Sequence, residues 1–404
     1  MAVMTAPLAG LKVVEMGTLI AGPFCARILA EFGAEVIKIE SPDGGDPLRQ
    51  WRKLYEGTSA WWFVQARNKK SVTVNLKAPE GQEIVRKLAA KADIVVENFR
   101  PGALEKWGLG WETLSAINPR IVMVRLSGYG QTGPYRNRPG FGAIGESMGG
   151  LRHLTGYPDR APCRVGVSIG DSIAALYGVI GALMAIHDRD KSGRGQVVDV
   201  ALYEAVFSLM ESLLPEYDLF NFVRERSGAS LPGIVPSNTY STRDGKYVVI
   251  GANSDSIFKR MMLAIGREEL AHDPELASNA GRVGRTEELD SAIGNWIASH
   301  DLEHVLPVLE KAEVPSGKIY DIADIVNDAH YQAREMIQEF EFAHGRSIKL
   351  PGIVPKMGAT PGGTEWLGPQ LGEHTAEVLA DLGYDADALK ILEERGVIHT
   401  IKKL

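Results

Sequence analysis

The sequence predicts an α/β protein with a parallel sheet under covering helices and a second, smaller α+β domain. Three observations predict it. In the first third, short β-branched runs alternate with helical patterns at the spacing of parallel strands. A linker-like stretch, RERSGASLPGIVPSN, changes the composition near 222–238. The chain has 404 residues, long enough for two domains and at least one sizeable core.

Taken in order, LKVVEM (11–16) and AEVIKIE (34–40) read as strands around a helix, PFCARILAEFG (23–33). GQEIVRKLAAKA (81–92) reads as a helix leading into the strand DIVVENF (93–99). IVMVRLSGYG (121–130) is a strand followed by a glycine-rich turn. Residues 172–187 form an unusually apolar helix that should end before the charged turn HDRDKSGRG. QVVDVALYEAVFSLMESLL (196–214) passes from strand to helix. Beyond the linker, STRDGKYVVIGAN (241–253) reads as two short strands around an Asp-Gly turn, with helical segments to about 330. A proline- and glycine-rich stretch (349–375) then precedes a closing helix, AEVLADLGY. Neither a repeat nor a low-complexity segment occurs.

Composition excludes several classes. A net charge of −7 argues against non-specific binding to nucleic acid or anionic membranes. The two cysteines, Cys25 and Cys163, form no CxxC and no zinc-ligand spacing, and suit a reducing compartment. The N-terminal MAVMTAPLAGLKVVEMG lacks the basic and apolar regions of a signal peptide. The apolar run from Ile173 to Ile186 is shorter than the ~20 residues of a membrane span. A soluble, cytoplasmic protein is expected.

Three turns carry candidate chemistry. GTLIAGPF (17–24) has the glycine spacing of a P-loop, but Pro23 and Phe24 replace its Lys and Ser/Thr. Glu40 ends the second strand where a ribose-binding acid would sit in a dinucleotide fold. ENFRPGALEKWGL (97–109) follows a strand and opens a helix. There Asn98 offers amide groups, Phe99 a flat apolar face, and Arg100 and Lys106 positive charge, a set suited to an adenine diphosphate. An ordinary turn with solvated charges would look the same. GVSIGDSIAAL (166–176) places Asp171 before an apolar helix, where it reads equally as an N-cap or as a carboxylate held ionised to act as a nucleophile. The nine histidines include no HExxH, and there is no GxSxG elbow.

Together the motifs resemble the class III CoA-transferase family, which includes formyl-CoA and carnitine CoA-transferases. The resembling stretches are PLAGLKVVEMGTLIAGPF (7–24), FGAEVIKIESPDGGDPLR (32–49), RNKKSVTVNLKAPEGQ (67–82), VVENFRPGALEKWG (95–108), GDS (170–172), SGRGQVVDVALYEA (192–205) and LGEHTAEVLADLGY (371–384). Details such as GDPLRQW and RPGFGAIGESMGGL look most like the subgroup acting between succinyl-CoA and itaconate, citramalate, malate, mesaconate or glutarate.

The resemblance implies a Rossmann-like, discontinuous large domain (1–222 and 331–404), a linker (223–237) and a small inserted domain (238–330), in an intertwined homodimer. It implies that Asp171 attacks an acyl-CoA thioester in a ping-pong reaction. Leu19, Val74, Asn75, Lys77, Asn98, Phe99, Arg100 and Lys106 would bind coenzyme A, the acyl carrier. Metal, nicotinamide and flavin would play no part, and the partners would be a second copy of the chain and small acids, not nucleic acid or membrane. Several positions depart from formyl-CoA transferase. Ser41 stands at an arginine, Pro139 at a lysine, Gly142 at a glutamate near the reacting centre, and a four-glycine lid is missing. Formyl or oxalate specificity is not expected. An α-methylacyl-CoA racemase of the same fold would need a histidine in 138–150, where none occurs. A catalytically silent CoA-binding protein is the remaining alternative. For a second carboxylate, Arg49, Arg52, Arg67 and Arg138 are the candidate cations.

Overall fold

The computed structural model describes residues 6–341 and 345–401. The reading of the N-terminus as leaderless falls partly on residues 1–5, outside the described residues. Two compact units emerge. The larger comprises residues up to Arg152, Val165–Phe222 and Gln338 onward, and the smaller His153–Arg164 and Val223–Ile337.

In the larger unit, strands β1 (Lys12–Glu15), β2 (Glu35–Glu40), β3 (Lys69–Thr73), β4 (Ile94–Glu97), β5 (Val122–Ser127) and β6 (Val197–Ala201) form one sheet. The spatial order is β3-β2-β1-β4-β5-β6 and every pairing is parallel. That is a doubly wound order, which reverses between β1 and β4 and opens a crevice at their carboxyl ends. Its helices include α1 (Ala21–Glu31), α2 (Pro79–Ala89), α3 (Ala103–Lys106), α4 (Gly142–Met148), α6 (Ile169–Ser192), α7 (Leu202–Phe207) and α8 (Leu213–Phe220), and the short α5 (Leu151–Leu154) runs across the Arg152–His153 boundary.

Alternate strand residues face opposite sides, so neighbours such as Val13 and Val14 enter different cores. Val13 joins Cys25 and Leu29 of α1, Val124, and Ala174 and Ala182 of α6. Val14 joins Val72, Ile84 and Leu88 of α2, Val95 and Leu379.

Three local readings change. KKSVT becomes β3 although it lacks an apolar alternation, because Lys69, Ser71 and Thr73 are buried and each has a polar partner. The apolar helix α6 starts earlier than 172 and runs through HDRDKS, giving 24 residues. Arg189 turns inward to Asp93 at 2.8 Å, which lets the helix continue to Gly193, left-handed at φ 75°. By length and composition α6 is therefore long and apolar enough to cross a membrane, contrary to the expectation from its apolar run. One of its sides packs on α1 and the sheet. Third, the strand-to-helix reading of 196–214 breaks where Glu211 takes φ 50° between α7 and α8.

In the smaller unit, β7 (Ser237–Ser241), β8 (Tyr247–Gly251) and β9 (Ser316–Lys318) form an antiparallel sheet in the order β9-β8-β7. The expected Asp-Gly turn joins β7 to β8, with Gly245 at φ 74°. Val248 and Ile250 pack on Phe258 and Met261 of α9 (Asp255–Ala264), Ile293 of α10 (Thr286–Ala298) and Leu309 of α11 (Leu302–Lys311).

The chain then returns to the larger unit. Trp62 Nε1 and Arg49 Nη1 both donate to the Pro369 carbonyl, at 2.9 and 3.2 Å. Arg67 Nη1 donates to the Pro351 carbonyl at 2.9 Å. The Thr73 N–H donates to Thr375 Oγ1 at 3.0 Å, where the closing helix α12 (Thr375–Ala380) begins.

Candidate active site

The turn after β1 is fixed from below by buried charges. Lys38 Nζ donates to Glu15 at 2.7 Å and to the Gly17 carbonyl at 2.9 Å. Lys69 Nζ donates to the other Glu15 oxygen and to the Pro23 carbonyl, both at 2.7 Å. One carboxylate thus ties two lysines that grip the two ends of the turn. Burial pulls the Lys69 ammonium down to about 8, against the pull of Glu15. Burial and the Glu15 charge push the Cys25 thiol up to about 12.

From above, Asn98 accepts from the Thr18 N–H and donates to the Thr18 carbonyl, both at 2.8 Å. Asp46, paired with Lys38 at 2.8 Å, accepts from the Leu19 N–H at 3.1 Å and holds that residue at φ 64°. A β-carbon at Gly17 would crowd the turn, standing 3.1 Å from both Asn98 Oδ1 and the Gly22 Cα.

Beside this turn lies a cavity of about 170 Å³, lined in part by Val74, Asn75, Lys77 and Phe99. Four of the expected coenzyme A residues therefore meet at the crevice between the β1, β2, β3 and β4 ends. Leu19 and Asn98 shape the neighbouring turn, with the Asn98 amide engaged on Thr18. Arg100 and Lys106 are exposed and do not line the cavity. Trp107, which the sequence reading did not single out, lines it and meets Phe99 edge-to-face at 5.4 Å. Its aromatic character next to the ENFRPG turn was the available signal. Glu97 supports this turn by accepting from the Phe99 N–H at 2.7 Å and from Arg125 at 2.6 Å, and burial pushes its carboxyl up to about 7.

Glu40 does not await a ribose. Its oxygens accept from Arg49 at 2.8 Å each, from Ser71 at 2.6 Å and from the Asp46 N–H at 2.9 Å. The same pairing removes Arg49 from the cations available to a substrate. Arg67 is likewise buried against Glu31, at 2.6 Å. Arg52 and Arg138 remain exposed, stacked over Trp61 and Tyr135 at 4.6 and 3.6 Å.

Asp171 is half-buried and is the third residue of α6, not its N-cap. Ser168 caps the helix because Ile169 and Gly170 already adopt helical backbone. A first-turn carboxylate keeps the favourable interaction with the helix dipole. Two glycines make room beside it. A β-carbon at Gly142 of α4 would lie 2.0 Å from Asp171 Oδ2, and one at Gly170 would lie 2.9 Å from the Gly142 carbonyl. No acidic side chain can occupy position 142 in this arrangement. Among the described residues, no group of three or more His, Cys, Asp or Glu is placed to hold a metal.

Known proteins resemble the chain over most of its length. The profile of CoA-transferase family III matches residues 8–375. A succinyl-CoA–D-citramalate CoA-transferase of Chloroflexus aurantiacus is 50% identical over 394 residues, covering 97% of this chain and 98% of that protein. A succinate–glutarate CoA-transferase of Agrobacterium fabrum is 34% identical, covering 93% of this chain and 96% of that protein. The crystal structure of a CAIB/BAIF family protein from Brucella suis superposes with a TM-score of 0.83 at 34% identity, over 94% of this chain and all of that one. With the family profile spanning nearly the whole chain and a relative 50% identical over 97% of it, the chain belongs to CoA-transferase family III and is a class III CoA-transferase.

Proposed function

We propose that the enzyme moves coenzyme A from succinyl-CoA to a small carboxylic or dicarboxylic acid through a covalent intermediate on Asp171. The observation that carries this reading is the Asp171 carboxylate at the start of α6, bordered by Gly142 and Gly170. The activities for which the relatives are named support the choice of donor and of a citramalate-, malate- or glutarate-like acceptor.

The chemistry balances without a metal or ATP. Asp171 attacks the thioester carbonyl, the C–S bond breaks, and the electron pair leaves on the CoA thiolate, giving a mixed anhydride. The thiolate then attacks the Asp171 carbonyl carbon, releasing the donor carboxylate and leaving an aspartyl-CoA thioester. The acceptor carboxylate repeats both steps in reverse and regenerates Asp171. Each step exchanges one carboxylate or thiolate for another, so no general base is required. Leu19, Val74, Asn75, Lys77, Asn98, Phe99, Arg100 and Lys106 would hold coenzyme A, the last two through its phosphates.

In the same reading residues 238–330 are the family's inserted domain, joined through 223–237 to a large domain of 1–222 and 331–404. The enzyme would be a cytoplasmic, intertwined homodimer. Leu176, Ile180, Leu183 and Met184 of α6 support the dimer, as apolar side chains exposed on the side away from the sheet. Two-base racemisation lacks its histidine, since 138–150 contains none and His153 faces Glu225 within the smaller unit, at 3.3 Å.

Asp171→Ala is expected to abolish transfer while leaving coenzyme A binding within a few-fold of wild type. Mass spectrometry of the wild-type protein with succinyl-CoA should find the adduct on the peptide containing Asp171. Full transfer by the variant would overturn the reading.

A further inference from the structure

An acid with two carboxylates, reacting through one at Asp171, leaves the other to be neutralised, and a guanidinium suits it best. Arg49 and Arg67 are engaged in buried ion pairs. The seam between α4 and α6 offers another arginine. Each helix there turns an acid toward a glycine of its neighbour. The Asp171 carboxylate lies against Gly142, and the Glu146 chain lies against Gly170, with Cγ 3.1 Å from the position of a β-carbon. Glu146 follows Gly142 by one helical turn, so the two acids lie along one seam.

Glu146 is 1% exposed, and a carboxylate buried to that degree needs compensation. One oxygen, Oε2, accepts from Arg152 Nη2 at 3.0 Å, while Oε1 has no hydrogen-bond partner among the described residues. Arg152 stands on α5, with its side chain 28% exposed. Among the described residues Glu146 is the acceptor recorded for its guanidinium, and a guanidinium carries five N–H donors in a planar fork. A buried carboxylate thus fixes one edge of the fork and leaves donors over for a ligand.

We propose that Arg152, oriented by Glu146, binds the second carboxylate of the acyl group while the first reacts at Asp171. The substrate class follows: short dicarboxylic acids and their CoA monothioesters. Because a ping-pong reaction passes donor and acceptor through one place, the same arginine reads the succinyl group and the acceptor acid. The assignment rests on Asp171 as the nucleophile. Glu146 is a positioning residue that touches no substrate.

The test compares transfer from succinyl-CoA with transfer from butyryl-CoA, its counterpart of equal chain length without the second carboxylate. In Arg152→Gln, the ratio of kcat/KM for succinyl-CoA over butyryl-CoA should fall roughly tenfold to hundredfold, the loss expected for a charged hydrogen-bonded pair. Arg152→Lys should fall between that variant and wild type, because an ammonium keeps the charge without the fork. Glu146→Gln should lower the ratio through KM more than through kcat. Thermal melting checks that each variant folds, and the lysine variant keeps the test open should the glutamine variant not fold. An unchanged ratio in both arginine variants, or a wild-type enzyme with no preference for the succinyl donor, would overturn the proposal. Failure of the aspartyl reading shows separately, as transfer that survives in Asp171→Ala.

Discussion

At Gly142 the place of a β-carbon is occupied by the Asp171 carboxylate, 2.0 Å from Oδ2. Alanine is a better helix former than glycine, so Gly142→Ala should fold at least as well as wild type. It must nevertheless displace the carboxylate proposed as nucleophile, and a displacement near 1 Å costs roughly a hundredfold in rate. We expect kcat to fall by about that factor with an unchanged or raised melting temperature, checked by steady-state kinetics and calorimetry. The two thiols should also separate. Cys163 is exposed, whereas Cys25 is buried with its thiol pushed up to about 12. Native protein should take one equivalent of a thiol reagent at neutral pH and a second only in denaturant; two rapid equivalents would contradict the burial. At this scale the sequence exposed Asp171, because an acid before an apolar helix is conspicuous. It could not expose Glu146 with Arg152, since their meaning lies in a contact between two helices and in one oxygen without a partner.

Among the elements, the turn after β1 shows how local shape is fixed by distant residues. Its backbone is held by Asn98 from β4's end, Asp46 from beyond β2, and lysines of β2 and β3. Asn98→Ala removes two hydrogen bonds worth about 1 kcal/mol each. The expected outcome is a rise in KM for the CoA ester of roughly tenfold with kcat little changed. A fall in kcat alone would place Asn98 in the chemistry instead. The legible elements were those with apolar alternation, such as β1, β2 and β4. Strand β3 escaped because its inward positions are Lys69, Ser71 and Thr73, a polar set that becomes intelligible only with its buried partners. The end of α6 escaped for a related reason: Arg189 reads as a surface charge until Asp93 is placed beside it.

For the molecule as a whole, the alternation of strands and helices was enough to read a parallel α/β sheet. The strand order, with its reversal between β1 and β4, is settled by long-range pairing, which no short window of sequence contains. The exposed apolar side of α6 and the exposed tip of α8 carry a prediction at this scale. Met184 is 67% exposed and Phe220 75%. If these residues are buried between copies, Met184→Glu combined with Phe220→Glu should convert a dimer to a monomer in sedimentation or light-scattering measurements. A wild-type chain that is monomeric at micromolar concentration would refute the homodimer.

The returning C-terminal segment has a consequence for how the enzyme is made. Arg49, whose partner Glu40 closes off the end of β2, also donates to the carbonyl of Pro369, 320 residues further along. Edge strand β3 is completed by Thr375 and His399. A nascent chain therefore carries Asp171 and the turn after β1 long before it carries the strap that seals their sheet. Contacts so far apart in sequence form late and slowly. The larger unit can mature only after residues 369–399 have left the ribosome, and termination before them would strand a protein that has Asp171 and the turn but no finished sheet to hold them.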